Sequence, residues 1–80
     1  MFNVTVEYFA SLREQSGVDQ EQVQVRARNY LELYRELQSK HGFDLDAAHV
    51  QVAVNDEFTL MSHPVQEGVR VVFIPPIAGG

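Results

Sequence analysis

The chain has 80 residues, enough for one small domain, and 45% of them are hydrophobic, so a buried core is expected. The absence of cysteine excludes disulfides and thiolate chemistry, and a net charge of −5 argues against nucleic acid or an anionic membrane as the main partner. Because no apolar run resembles a membrane span or a secretory signal, we expect a cytoplasmic protein.

The first quarter of the chain predicts two strands joined by a short helix. Alternating apolar residues over residues 2–9 are typical of a half-buried strand, and Phe9 falls on its outward phase. The inward phase holds Phe2, Val4, Val6 and Tyr8. A short helical turn over residues 11–17 ends at Gly17, and a second strand over residues 22–25 is expected to pair antiparallel with the first.

The main helix is predicted to begin after Asn29 and to end before Gly42. Asn29 is a favourable N-cap, with Glu32 three residues later as in a capping box. Apolar residues at helical spacing form one buried stripe, made of Tyr30, Leu33, Tyr34 and Leu37.

The second half predicts a loop and three more strands. We expect a loop over residues 43–49, strands over residues 50–54 and 58–60, and a final, central strand over residues 69–74. An Asn-Asp-Glu turn at residues 55–57 separates the first two of these strands. The order indicates an α+β fold with a mixed sheet of about five strands, one main helix and a short helical turn. A β-grasp (ubiquitin-like) arrangement fits this order, and periodicity alone leaves a ferredoxin-like sheet open.

The last six residues are predicted to form a flexible tail outside a domain that spans residues 1–74. The tail consists of Pro75, Pro76, Ile77, Ala78, Gly79 and Gly80. The prolines offer no N–H to a neighbouring strand and keep the chain extended. The glycines lack a Cβ, so they fit a narrow channel and leave the last acyl carbon unhindered.

Such a tail suits a carboxyl group that other proteins activate. Once Gly80 is adenylated with ATP, attack by an amine gives an amide, whereas attack by a sulfur donor gives a thiocarboxylate. The alternative is an inert tail on a plain interaction module. No general base lies near Gly80 in the sequence, so the catalytic groups are expected to come from a partner and the chain alone is not expected to be an enzyme.

Several stretches resemble the small subunit of molybdopterin synthase, a family of sulfur carriers. They are Tyr8–Glu14, Ala53–Asn55, His63–Val65 with Glu67–Gly68, and above all the terminal sequence Phe-Ile-Pro-Pro-Ile-Ala-Gly-Gly from Phe73 to Gly80. The resemblance implies a β-grasp fold whose terminal glycine is activated by an E1-like adenylyltransferase using ATP and magnesium. It also implies that the chain itself binds no cofactor, and that its thiocarboxylate supplies sulfur to cyclic pyranopterin monophosphate in two rounds that build the dithiolene of molybdopterin.

The resemblance further implies a heterotetramer with the large synthase subunit. Phe9, Phe58 and Ile74 match the hydrophobic contact positions of the family and are expected to form an exposed apolar patch beside the tail. Arg13 is a candidate for pairing with an acidic group of the partner. Val69–Arg70 stands where the family usually has an acidic pair, so Arg70 is expected to alter the charge that a partner must present.

Other functions stay open at this point. The sulfur could serve the synthesis of molybdopterin, thiamine, thiolated transfer RNA or cysteine. A ubiquitin-like protein modifier, which forms amide bonds with other proteins, would use the same tail. The three histidines, His41, His49 and His63, lack the spacing of a zinc site, so no metal site is expected.

Overall fold

The computed structural model describes residues 1–76 of the chain. These residues contain five strands, two α-helices and one short 3-10 helix. In chain order the elements are β1 (Phe2–Tyr8), α1 (Ala10–Ser16), β2 (Gln20–Val25), α2 (Tyr30–His41), the 3-10 helix (Ala47–His49), β3 (Gln51–Val54), β4 (Glu57–Thr59) and β5 (Arg70–Ile74). Among these residues no helix has the length and apolar character that a membrane crossing requires.

The strands form one mixed sheet in the order β2-β1-β5-β3-β4. The first and last strands lie side by side and parallel, with Val6 opposite Val71, while the other neighbours are antiparallel. β5 is therefore the central strand, as its apolar sequence predicts. This topology confirms the β-grasp arrangement and is not that of a ferredoxin-like sheet.

The core lies between α2 and one face of the sheet, which we call the inner face. The predicted stripe of α2 is buried, and each of its four residues is at most 2% exposed. It packs on inward residues of the central strands, and the rings of Tyr34 and Phe73 meet edge to face with centroids 5.3 Å apart. The inner-face strand residues of this core include Val4, Val6, Tyr8, Val52, Val71 and Phe73.

The predicted signals for the ends of α2 are confirmed. The Asn29 Oδ1 accepts a hydrogen bond from the backbone N–H of Glu32 at 2.9 Å. The Glu32 carboxylate in turn accepts from the N–H of Arg28 at 3.2 Å, one residue before the N-cap. At the other end Gly42 adopts φ +74°, a left-handed conformation that costs glycine little, and its N–H bonds to the Gln38 carbonyl.

A polar cluster joins β1, β2 and the end of α2. The Glu21 carboxylate accepts hydrogen bonds from the Tyr8 hydroxyl and from Lys40 Nζ at 2.8 Å, and it lies 2.6 Å from His41 Nε2. Burial alone raises the pKa of Glu21, but the bonds from Lys40, Tyr8 and His41 outweigh burial and lower its pKa to about 2. Burial, and then the contact with Glu21, raises the pKa of the Tyr8 hydroxyl.

The structure corrects several predicted boundaries. The loop over residues 43–49 contains the 3-10 helix, which Asp46 caps by accepting from the N–H of Ala48 at 3.0 Å. The fourth strand begins at Glu57 rather than Phe58, because the turn consists only of Asn55–Asp56. The same strand ends at Thr59, one residue before the predicted end at Leu60. Both turn residues have positive φ, as a tight hairpin turn requires.

Smaller shifts affect the remaining strands. β1 ends at Tyr8 because Phe9 becomes the N-cap of α1. β2 begins two residues earlier than predicted, at Gln20, because its pairing with β1 continues as far as Glu7. β3 and β5 each begin one residue later, at Gln51 and Arg70.

Candidate functional site

The sheet face opposite α2, here called the outer face, carries apolar residues on its central strands. The alternation of β5 and β3 directs Val72 and Ala53 away from the core, and the two residues lie opposite each other in the register. Ala53 in turn lies opposite Phe58 of β4. The outer face thus has an apolar row that crosses β5, β3 and β4.

A second row lies nearer the end of β5. Ile74 occupies the outer phase of β5 and is partly exposed. Tyr8 pairs with Phe73, so Phe9, next along an extended chain, falls beside Ile74. We define the outer apolar patch as Phe9, Ala53, Phe58, Val72 and Ile74.

The exposure of this patch matches the prediction for its aromatic members. Phe9 is 49% exposed and Phe58 is 69% exposed, so neither belongs to the core. Val72 and Ala53 are each only 8% exposed, but they lie outside the core cluster because their side chains are on the outer face. Whether the patch binds a partner stays a prediction.

Leu60 extends the apolar surface beyond the predicted residues. It is 73% exposed and follows directly after β4, where Thr59 pairs with Val52. This places it at the same end of the sheet as Ile74, which pairs with Gln51. The sequence carries a signal, since Leu60 has the same phase as Phe58, although alternation by itself indicates only a strand residue.

The chain leaves the sheet next to the outer apolar patch. β5 ends at Ile74, and the two following prolines differ in environment, since Pro75 is buried and Pro76 is exposed. Neither can donate a backbone hydrogen bond to a neighbouring strand, which is a physical reason for the strand to end there. Ile77, Ala78, Gly79 and Gly80 lie outside the described residues, and the domain boundary before Pro75 stays a prediction.

Arg70 is held by acidic residues of its own chain. Its Nε lies 3.3 Å from Glu7 Oε2 on β1, and its Nη2 pairs with Asp56 in the β3–β4 turn. The Asn55 side chain also accepts from the Arg70 N–H at 3.0 Å, and Asn55 N–H donates to the Arg70 carbonyl at 2.9 Å. Arg70 therefore ties the β4 hairpin to the centre of the sheet, a role that its charge in the sequence did not indicate.

Arg13 and two of the histidines contact other residues of the same chain. Arg13 Nε lies 3.7 Å from Asp19 Oδ1, and both side chains are more than half exposed, so this ion pair is weak. His41 belongs to the Glu21 cluster, and His63 stacks on Tyr30 with ring centroids 6.5 Å apart. Within residues 1–76 no group of three or more His, Cys, Asp or Glu is placed to hold a metal ion.

The sequence model of the ThiS family matches residues 6–80, which include the end of β1, all later strands, both helices, and the Pro-Pro and Gly-Gly pairs of the tail. The chain belongs to the ThiS family. No curated protein sequence matches it.

Solved structures of other proteins share the ThiS-family fold of this chain. A Pyrococcus furiosus protein described as molybdopterin converting factor subunit 1 is 27% identical, with a TM-score of 0.78 and coverage of 96% of this chain and 100% of that one. A chain in the complex of subunits 1 and 2 of the Helicobacter pylori molybdopterin-converting factor is 25% identical, with a TM-score of 0.67 and coverage of 99% and 100%.

A third similar structure shows that the fold serves proteins with different names. The small archaeal modifier protein 1 of Haloferax volcanii is 20% identical, with a TM-score of 0.79 and coverage of 96% of this chain and 100% of that one. At this identity the likeness concerns the fold alone. Together these matches show that the chain has the ubiquitin-like sulfur-carrier fold of the ThiS family, and the pathway is a separate question.

Proposed function

We propose that this chain is the sulfur carrier subunit of a molybdopterin synthase. The observation that carries the proposal is where the tail starts: Pro75 directly follows Ile74 of the central strand and of the outer apolar patch, and the sequence after it ends in Gly-Gly. A partner that covers this patch would have the tail at the edge of its contact surface. A single binding event would then both hold the domain and present Gly80 to the partner's active site.

The proposed chemistry takes place on Gly80. An E1-like enzyme with ATP and magnesium forms a bond between the Gly80 carboxylate and AMP and releases pyrophosphate. A sulfide-level sulfur donor then attacks the acyl carbon, displaces AMP and leaves a thiocarboxylate. In the synthase the thiocarboxylate sulfur bonds to a carbon of cyclic pyranopterin monophosphate and displaces an oxygen substituent, and hydrolysis of the resulting thioester releases the chain with Gly80 as a carboxylate. A second carrier molecule repeats the step and completes the dithiolene.

The chain's own contribution is to bind and to present. Its β-grasp domain offers the outer apolar patch, and the prolines after β5 direct the chain out of the sheet. We propose that the large synthase subunit, in a heterotetramer, supplies the catalytic groups, and that neither metal nor nucleotide is bound by the carrier itself.

The proposal is supported by comparison as well as by geometry. The Helicobacter pylori protein that this chain resembles forms a complex of subunits 1 and 2 of a molybdopterin-converting factor. The second candidate function keeps the carrier chemistry but changes the sulfur acceptor to thiamine, transfer RNA or cysteine synthesis. The family match favours this candidate, because the ThiS family model is not specific to one pathway.

Reconstitution distinguishes the two candidates. The thiocarboxylated chain is mixed with a molybdopterin synthase large subunit and cyclic pyranopterin monophosphate, and molybdopterin is measured as its fluorescent oxidation product. We expect product with the thiocarboxylated chain and none with the carboxylate form or with a chain that lacks Gly80. Sulfur transfer to the thiamine thiazole precursor, with none to the pterin, would contradict the molybdopterin assignment and keep the carrier chemistry.

A further inference from the structure

Strand β2 is an open edge of the sheet within residues 1–76. It stands at one end of the strand order, and β1 is its only neighbour within residues 1–76. Natural sheets usually shield such an edge with a very short strand, a charged side chain, a proline or a bulge. Of these devices β2 has one, the inward-facing Glu21, whose carboxylate is already held by Lys40 and His41. β2 has six residues, Gln20–Val25, without lysine or proline, and its register with β1 is continuous from Phe2 opposite Val25 to Glu7 opposite Gln20.

The hydrogen bonds of β1 show which backbone groups of β2 are free. The Tyr8 N–H donates to the Asp19 carbonyl at 2.9 Å, so the bonded pairs of this antiparallel ladder recur at Glu21 and Val23. The residues between them, Gln20, Gln22 and Gln24, therefore direct their N–H and C=O groups away from β1. No hydrogen bond outside the β1–β2 ladder reaches these groups from the rest of the described chain.

We propose that β2 pairs antiparallel with β2 of a second copy of this chain, with Gln22 on the two-fold axis. In this register Gln22 lies opposite Gln22 of the second copy, and Gln20 lies opposite Gln24. Every residue with free backbone groups then faces another such residue, which gives about six hydrogen bonds across the edge. The glutamine side chains share the outer face, so their amides oppose one another as cross-strand pairs.

The charges along the edge allow this approach. The side chains that meet near the axis are neutral glutamines, and Glu21 is already paired with Lys40 Nζ at 2.8 Å and with His41 Nε2 at 2.6 Å. Asp19 precedes the strand and Arg26 follows it. The antiparallel arrangement brings the acidic end of one copy towards the basic end of the other, whereas a parallel arrangement would bring like charges together.

The proposed contact is small and separate from the outer apolar patch. One strand pair buries far less area than a standard protein interface, so we expect a weak dimer, with a dissociation constant of about 0.1–1 mM. Because β2 and β4 lie at opposite ends of the sheet, pairing through β2 leaves Phe58 and the tail exit accessible. The dimer contact and the surface of the proposed function are therefore separate, and the absence of a dimer would not affect sulfur transfer.

The test is the concentration dependence of the amide NMR spectrum of the full chain, measured from about 0.02 to about 1 mM together with sedimentation velocity. We expect shifts that concentrate at residues 20–24 and a rising sedimentation coefficient. Gln22→Lys places like charges opposite each other on the axis and removes both effects. Gln66→Lys makes the same substitution at an exposed position of the loop between β4 and β5, away from β2, and keeps them.

Each outcome decides the inference. An unchanged spectrum and sedimentation coefficient up to about 1 mM would overturn it. Shifts that map to Phe58 and Ile74, or self-association that survives Gln22→Lys with the fold intact, would also overturn it, because the contact would then lie elsewhere on the molecule.

Discussion

The Glu21 carboxylate links three elements through one side chain. It contacts the Tyr8 hydroxyl of β1, and Lys40 and His41 at the end of α2, while its own side chain is only 17% exposed. The sequence placed Lys40 and His41 near the negative end of the helix dipole but showed no sign of this convergence. Such a contact between distant parts of the chain becomes visible only once the register of β1 and β2 is known.

The pKa of Glu21 makes its contribution to stability depend on pH. The pKa is lowered from 4.5 to about 2 in the folded chain, so its stabilising effect is present above the unfolded value of 4.5 and is lost as the pH falls towards 2. We expect Glu21→Gln to lower the free energy of unfolding by about 1–3 kcal/mol at pH 7. Urea unfolding at pH 7, 4 and 2.5 measures this difference.

The difference between wild type and Glu21→Gln should shrink on acidification. Glu14→Gln, a change on the exposed face of α1, serves as the control because this carboxylate is solvated. A deficit in Glu21→Gln that stayed constant from pH 7 to pH 2.5 would contradict the assigned cause, because it would not depend on the ionised carboxylate.

Arg70 is predicted to stabilise the hairpin of β3 and β4. Arg70→Met removes its ion pairs with Glu7 and Asp56, and we expect a loss of about 1 kcal/mol in the free energy of unfolding. Amide hydrogen exchange should accelerate most around Asp56 and in β4, because the Arg70 side chain holds this turn through Asp56, whereas the backbone bonds between residues 70 and 55 are kept in the variant.

Arg70→Lys provides the matched comparison. It keeps the positive charge but loses the planar group that reaches two carboxylates at once, so we expect partial rescue. Uniform acceleration of exchange over the whole sheet, or none at all in β4, would show that Arg70 does not hold the hairpin.

At the scale of the elements, alternation and caps carried most of the information in the sequence. Period-two alternation identified the strands. It also predicted correctly that Phe9 points outward, because successive side chains of an extended chain point to opposite faces. The boundaries that failed have local causes. The Asn55–Asp56 turn is one residue shorter than the polar run that suggested it, and the 3-10 helix depends on a cap by Asp46.

The N-cap of α2 is a further contribution that single substitutions can measure. Asn29→Ala removes the acceptor for the Glu32 N–H, and we expect a loss of about 1 kcal/mol in the free energy of unfolding. Asn29→Ser keeps a side-chain oxygen and should recover most of that loss. An equal loss in both variants by thermal or urea unfolding would mean that the side-chain bond does not determine the effect.

At the scale of the whole molecule, the outer face and the tail exit form one surface with the core behind it. The sequence predicted Phe9, Phe58 and Ile74 from their phase and from the family resemblance. It did not predict that the exposed Leu60 extends this surface or that Val72, Ala53 and Phe58 form one row, because both facts follow from which strands are neighbours. Their places require the sheet order, which local patterns do not contain.

Phe58 is predicted to contribute to binding and little to stability. Because it is 69% exposed, Phe58→Ala should change the free energy of unfolding by less than about 0.5 kcal/mol. Its affinity for a molybdopterin synthase large subunit, measured by calorimetry, should fall by about 30-fold. Val18→Ala, an exposed apolar residue between α1 and β2, is the control and should bind as wild type does. Unchanged affinity in Phe58→Ala would contradict the proposal that the large subunit binds the outer apolar patch.

The most direct measurement of the central claim is the intact mass of the chain after incubation with an E1-like adenylyltransferase, ATP, magnesium and a sulfide donor. We expect a gain equal to the exchange of one oxygen for one sulfur, located to Gly80 by fragmentation and absent without ATP. A chain extended by one alanine after Gly80 should fold equally well but transfer no sulfur to the acceptor. No mass gain in the wild-type chain, when a known carrier gains sulfur from its own activating enzyme under the same conditions and several such enzymes have been tried, would contradict the claim that Gly80 carries sulfur.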